Sequence, residues 1–495
     1  MNKHPSLDPQ ADLQGTRGKR SGTPSARTAT NRGTRLAALA LAASVLAGCA
    51  TAPHAPDPEI ALPTRWDEPF DADREAEAGA RDWWASFGST ELVALIDTVL
   101  AGNPDLAIAT ERVLQAEIGL RNAGASLLPT LDFNAATSSS AANRREDRGE
   151  RSLAGLAISY EIDVWGSNFS RRDGAGASLA ATRFDYQATR LSLIASTANL
   201  YARLLALKAG LEIARKNAEI SERLFVLVEA RYRNGAASAL DVSRQRTTLL
   251  ATQNALLPLE IQIRESLRAL AILTGQAPQG FMIAATDIES LTVPELGASL
   301  PGELLARRPD LAAAEARMRA ADANIAVARA ALFPLKLSIG AGASLSSSQF
   351  ALAGLGDPFS SADITLSLLQ AIFDGGRLRG DVEIAESQRR QAFELYRGTV
   401  LTSLTEVEDG LANVAGSRQQ LENRREIRDE TARALVLSEL RYREGSDSLD
   451  TLLDAQRNLF VAEDTLIQQR FAVISATIDL YKALGGGWQR DEPAS

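Results

Sequence analysis

The sequence predicts an α+β membrane protein built from one unit used twice. Three observations carry this: landmarks that recur at nearly constant spacing, short segments in which apolar and polar residues alternate, and long heptad-patterned runs between them. Asn103-Pro104-Asp105-Leu106 returns as Arg308-Pro309-Asp310-Leu311, and Leu128-Pro129 as Phe333-Pro334, both 205 residues on. Arg231-Tyr232-Arg233-Asn234-Gly235 returns as Arg441-Tyr442-Arg443-Glu444-Gly445, and Leu273-Thr274-Gly275 as Ala483-Leu484-Gly485, both 210 residues on. Four landmarks in one order at almost one offset mark an internal duplication. Each copy reads helix, strand, strand, long helix, turn, long helix.

In chain order, residues 1–48 come first and hold seven Lys/Arg against two Asp/Glu. Arg27, Arg32 and Arg35 precede the apolar run Leu36–Ala47, which ends Leu46-Ala47-Gly48-Cys49. A basic stretch, an apolar run and small residues at its end read as a secretory signal. That run is shorter than the roughly 20 residues a helix needs to cross a bilayer. Its last four residues resemble a bacterial lipobox, in which the cysteine (here Cys49) is acylated and begins the mature chain. Residues 49–82 are then a lipidated tether and N-terminal segment, Pro/Ala-rich as far as Pro63.

Composition excludes several kinds of function. Cys49 is the sole cysteine, which leaves no disulfide framework and no thiolate metal site. The only histidines, His4 and His54, lie outside every candidate core, so imidazole-based triads and metal sites are not expected. Beyond residue 48 there remain 46 basic and 60 acidic side chains, a balance that disfavours nucleic acid. There is no phosphate loop or nucleophile elbow, so the chain is not expected to be an enzyme or to carry a cofactor. A carboxylate-only surface hydrolase is the residual enzymatic alternative.

Repeat 1 covers 83–275. Its first helix opens at Pro104, where proline suits a first turn, and the next proline stops it. From there the period changes to two, with strands expected near 129–138, 153–165, 334–346 and 361–373. Leu131 and Phe133 alternate with Asp132 and Asn134; Leu156, Ile158, Tyr160 and Ile162 alternate with Ser159, Glu161 and Asp163. In repeat 2, covering 309–485, Leu337 and Ile339 alternate with Lys336 and Ser338, and Ile364, Leu366 and Leu368 with Asp363, Thr365 and Ser367. One oily face and one hydrophilic face suit lipid outside and water inside, which assigns Asp132, Asn134, Glu161, Asp163 and Lys336 to a lumen. Four strands cannot close a barrel, and open edges are not tolerated in lipid, so copies of the chain must pool their strands. Two copies would give eight and three would give twelve.

The helices supply a second wall. Leu452, Leu459, Leu466, Val473 and Leu480 recur every seven residues beside Leu453, Phe460, Ile467, Ile474 and Tyr481. Two adjacent heptad series make a stripe wide enough for neighbours on both sides. Repeat 1 carries the first series at Val242, Leu249, Leu256, Ile263 and Leu270, with a kink expected at Pro258. The partner helix of repeat 2 is expected from Arg377 to Arg443, a rod of roughly 100 Å.

With these features in place, residues 60–490 resemble the TolC/OprM family of outer-membrane efflux proteins, in the lipoprotein branch that serves resistance-nodulation-division systems. The resemblance rests on the duplicated plan, the NPDL and RPDL helix starts, and the proline strand entries. Further marks are Phe373-Asp374-Gly375-Gly376-Arg377, the RYRNG and RYREG turns, and Leu453-Asp454-Ala455-Gln456-Arg457. It implies a homotrimer in the outer membrane of a Gram-negative bacterium, with a twelve-stranded β-barrel over a twelve-helix periplasmic tunnel. An equatorial belt would come from the linker 276–308 and the tail 486–495. The implied partners are outer-membrane lipid, a periplasmic adaptor and an inner-membrane proton-driven pump; the implied function is the exit duct for drugs or other small solutes. Rival readings are a type I protein-secretion channel and a periplasmic coiled-coil lipoprotein that forms no channel.

The turns at Gly235 and Gly445 are expected to be periplasmic tips, with Tyr232 and Tyr442 available to an adaptor. By the resemblance the carboxylate of Asp454 faces the channel at its aperture. Spacing independently places Asp447, Asp450 and Asp454 on one helix face away from the leucine stripe, taking about 100° per residue. Arg441 and Arg457 are candidate ion-pair clamps for the closed tip.

Overall fold

The computed structural model describes residues 60–67, 82–140, 149–294, 301–302, 304–333, 336–347, 359–369 and 373–490. The expected signal segment, Cys49, His4 and His54 lie outside the described residues.

Both halves follow one order. A short 3-10 helix, Trp83–Phe87, leads into α1 (Thr90–Gly102) and α2 (Pro104–Ala125), then strands β1 (Thr130–Ser140) and β2 (Gly149–Ile162). The long α3 (Ser167–Arg233) descends, and α4 (Ala239–Asn254) with α5 (Leu256–Leu273) returns. The second half repeats this as α6 (Pro309–Ala331), β3 (Lys336–Ser347), β4 (Phe359–Leu369), α7 (Arg377–Arg443) and α8 (Leu449–Ala483). Both α3 and α7 contain 67 residues, about 100 Å of helix each at 1.5 Å per residue. The return helix of the first half breaks at Ala255, three residues before Pro258. Proline lacks the N–H that would bond the Asn254 carbonyl, and its ring crowds that oxygen. In the second half Gln468 occupies the equivalent place and α8 runs unbroken for 35 residues.

The strands form one antiparallel sheet ordered β1-β2-β3-β4, with β1 and β4 at its two edges. Helix packing follows the same sequence. In the half nearer the sheet it runs α2–α3–α6–α7; in the other half α4 and α5 lie on α3, α3 on α8, and α8 on α7. The described helices therefore form an arc, open along α7 on one side and along α2, α4 and α5 on the other.

Each repeat fastens its two ends together at the junction between these halves. Asn103 caps α2 by accepting the N–H groups of Asp105 and Leu106, and its amide donates to the Leu273 carbonyl at 2.9 Å. In the second repeat the buried Arg308 donates to the equivalent Ala483 carbonyl at 2.9 Å and also to Glu406 and Asp310. Beside each fastening sits a glycine with positive φ, Gly275 at 70° and Gly485 at 90°. A Cβ on Gly275 would run into the carbonyl oxygen of Gly102, and one on Gly485 into that of Arg307.

The main core lies at the same level. Trp83 stacks on Tyr481 at 4.8 Å, with Phe87, Ile96, Tyr201, Leu205, Leu270 and Ile474 buried around them. Polar side chains hold the linker after α5 against this core as a strap. Glu91 accepts the N–H groups of Ala284 and Ala285, while Lys208 donates to the carbonyls of Ile283 and Ala285 at 2.6 and 2.7 Å. Arg470 donates to the carbonyls of Ile288 and Leu291, and Arg418 to that of Pro294. Burial lowers the Lys208 pKa, and raises that of the neighbouring Tyr201 phenol to about 12.

Strand ends differ from expectation by a few residues. β1 runs on to Ser140 rather than 138, β2 begins at Gly149 rather than 153 and stops at Ile162 rather than 165, and β4 begins at Phe359 rather than 361, while 334–335 and 370–372 lie outside the described residues. Apolar alternation continues past Ile162 to Val164, but the backbone turns there, with the Val164 N–H donating to the Ile162 carbonyl at 2.9 Å.

Candidate functional site

Strand register sorts side chains onto two faces across the whole sheet. One row runs Leu131–Ile158–Ala341–Ile364, and the next Phe133–Leu156–Ala343–Ala362. The opposite face carries Asp132–Ala157–Gly342–Asp363, Asn134–Gly155–Ser344–Ser361 and Thr130–Ser159–Gly340–Thr365. Glu161 joins that polar face opposite Ser338, which lies opposite Ser367; Lys336 occupies a polar-face position at the end of β3. The oily face is uncovered: Phe133 is 69% exposed, Leu366 68% and Ile364 84%. No described helix packs over it. Among the described residues no single helix is long and apolar enough to cross a membrane.

Asp163, expected in the lumen, belongs to the strand–helix junction instead. Its carboxylate accepts the N–H groups of Asn168 and Phe169 in the first turn of α3, at 2.8 and 2.9 Å. Asp374 does the same at the start of α7, accepting from Gly376 and Leu378. Both junctions pair this aspartate with a left-handed glycine N-cap, Gly166 and Gly376. Exposed first-turn N–H groups need acceptors, and a carboxylate also suits the positive helix end.

At the far ends of the long helices the two tips are near copies. The Gly235 N–H donates to the Tyr232 carbonyl and the Ala236 N–H to that of Arg231; Gly445 and Ser446 repeat this with Tyr442 and Arg441. Such paired bonds close a helix through a left-handed residue, and φ is 78° at Gly235 and 74° at Gly445. Ser238 and Ser448 then cap the return helices, and Asp241 completes a capping box with Ser238. The Ser238 backbone and side-chain donors hold Asp241 below the usual carboxylate range.

The tyrosines differ. Tyr232 is half exposed, as a docking residue would be. Tyr442 is buried, with the Arg231 guanidinium over its ring at 4.7 Å and bonded to its carbonyl at 2.7 Å. It is thus a packing residue of the tip and is unavailable to an adaptor. Around it a small apolar core unites Leu224, Val228, Leu435, Leu449 and Leu452.

Of the three aspartates, Asp450 and Asp454 lie one turn apart on the exposed side of α8. Asp447 does not join them: it precedes the Ser448 cap, so helical spacing does not apply to it. It bonds the Ser448 N–H and pairs with Arg441 at 3.4 Å, and the backbone bond lowers its pKa. Arg457 pairs with Asp454 at 3.0 Å within α8. At the tip the two repeats are joined by the ion pair Arg244–Asp450 at 2.9 Å. Sequence reasoning missed Arg244 because the pair bridges 206 residues.

The Outer membrane efflux protein family profile matches residues 95–276 and 300–486. The chain is 38% identical over 462 residues to the pyoverdine export outer membrane protein OpmQ of Pseudomonas aeruginosa, covering 90% of this chain and 96% of that one. It is 31% identical over 470 residues to the toluene efflux pump outer membrane protein TtgC of Pseudomonas putida, with 92% and 96% covered. Among solved structures, the outer-membrane channel OprN superposes with a TM-score of 0.77 at 27% identity, covering 89% of this chain and all of that one. The open state of the MtrE channel of Neisseria gonorrhoeae gives 0.76 at 25%, with 89% and 99% covered. A duplicated helical arc that carries a four-stranded, two-faced sheet is thus the fold of solved outer-membrane channels, and this chain belongs to the outer membrane efflux protein family.

Proposed function

We propose that three copies of this chain close into the exit duct of a tripartite efflux system for small solutes. The observation that carries it is the sheet: lipid-compatible on one face, wettable on the other, and unpaired at both edges. The helical arc is open along the same two sides, so one rotation of the chain onto its neighbour covers α7 and β4 together. Twelve strands and twelve helical struts follow from three copies. Cys49, lipidated after signal removal, would hold the mature N-terminus at the membrane, and a periplasmic adaptor and an inner-membrane proton-driven pump would complete the path. Energy then comes from the pump, and the duct needs neither catalytic group nor cofactor. Cargo of modest size is supported by relatives named for exporting pyoverdine and toluene.

Extraction in detergent followed by mass measurement of the intact assembly tests this reading. A trimer carrying an acylated Cys49 is expected. A monomer soluble without detergent would overturn the duct and favour a coiled-coil lipoprotein.

At the aperture, three copies would bring Asp450 and Asp454 into stacked acidic rings that attract cations. Asp454→Asn is expected to weaken cation block of the closed duct severalfold in planar bilayers, with block unchanged by the substitution counting against the assignment.

A further inference from the structure

One turn above the apolar tip core, four polar side chains are buried together. Gln245 of α4 is 0% exposed and Gln456 of α8 is 3%, and both reach the same turn of α3. Gln245 Nε2 donates to the Ser221 carbonyl at 2.9 Å. Gln456 Nε2 donates to Ser221 Oγ at 2.6 Å and to Asn217 Oδ1 at 3.1 Å. The duplication does not generate this node. At the 210-residue offset Ser221 corresponds to Thr431, Asn217 to Ile427, Gln245 to Ala455 and Gln456 to Arg246. Two unrelated positions therefore converge on one helix.

We propose that this node is a register key, fixing how far both return helices sit along α3. The duct reading underlies its functional consequence. The heptad stripes of α4 and α8 repeat every seven residues and would pack nearly as well after a slide of two turns, about 10.5 Å. The amides would not. A two-turn slide of α8 toward the tip moves Gln456 to where Leu449 now sits, within the apolar tip core, where its N–H groups meet no acceptor. The correct register is thus selected by penalising its neighbours. It comes at a cost, because the Oε1 atoms of both glutamines find no donor among the described residues even in this register. Register matters here because Asp450 and Asp454 lie on α8 and Arg244 on α4, so sliding α8 displaces the acidic rings and sliding either helix breaks the Arg244–Asp450 pair.

The test is single-channel recording in potassium chloride on purified full-length wild type, on Gln245→Leu combined with Gln456→Leu, and on Ser221→Ala, with thermal melting of each. Wild type should show one closed-state conductance level. The double variant should melt no lower than wild type yet show several levels, as tips settle in more than one register. Ser221→Ala removes only the Oγ acceptor and should show milder broadening; it decides the matter if the double variant does not assemble. Variants with a single wild-type level would overturn the key. Wild type that forms no channel would overturn the duct reading itself.

Discussion

Gly485→Ala is expected to prevent accumulation of the folded protein. φ at Gly485 is 90°, a conformation that costs an L side chain energy by itself, and the added Cβ would be driven into the Arg307 carbonyl. That carbonyl belongs to the segment entering α6, whose position Arg308 already fixes through Ala483, Glu406 and Asp310. Neither partner can retreat without undoing the fastening that joins the ends of the repeat. A backbone outlier of this kind carries about 1–3 kcal/mol of strain before the collision is counted. The collision adds to it, against a total stability on the order of 5–15 kcal/mol. Gly275→Ala should behave alike, since its Cβ meets Gly102 in the first repeat. Gly235→Ala is the control: φ is 78°, but a Cβ there meets open space. It should lose only the conformational part, about 1–2 kcal/mol. Thermal melting and the yield of heat-resistant oligomer measure all three. Equal losses at Gly235 and Gly485 would refute the collision argument.

A second large effect is expected from charge on the oily face. Ile364→Arg places a guanidinium on the row Leu131–Ile158–Ala341–Ile364. Arginine at the midplane of a transmembrane barrel costs about 2–4 kcal/mol, and an assembly of three chains meets that cost three times. The protein should fail to assemble in the outer membrane and be degraded. Thr365→Arg, one residue away on the polar face, should assemble and alter only conduction. Membrane fractionation compares the two. If both assembled equally, the assignment of faces would be wrong.

The fold was legible where a repeating pattern spans many residues. The heptad stripe of α8 buries Leu452, Val473 and Leu480 of one series and Ile467, Ile474 and Tyr481 of the other. The expected bounds of α7 agree with the structure because glycines at Gly376 and Gly445 bracket it. Faces of the sheet were legible for the same reason, since alternation survives small errors at strand ends. Single residues at junctions were not. Asp163 continues the alternation of β2 and differs from a strand residue only in what its carboxylate bonds. Duplication also misled: Tyr232 and Tyr442 share a motif, yet only Tyr442 has an arginine laid over it. Contacts between the repeats, such as Arg244–Asp450 and the glutamine node, depend on how two distant helices meet and leave no local pattern. The grip of Glu91 and Lys208 on the linker backbone is equally silent, because it is made to peptide groups that every residue carries.

The break at Ala255 gives the two return struts unequal stiffness. A hinged strut takes up a sideways pull by folding at its elbow, whereas an unbroken one delivers the pull to whatever anchors its far end. In a ring of three chains, elbows and rods would alternate, so the mouth would dilate as a three-bladed shutter rather than as a six-bladed one. The α8 rods would carry the motion up to the strapped belt around Trp83 and Tyr481.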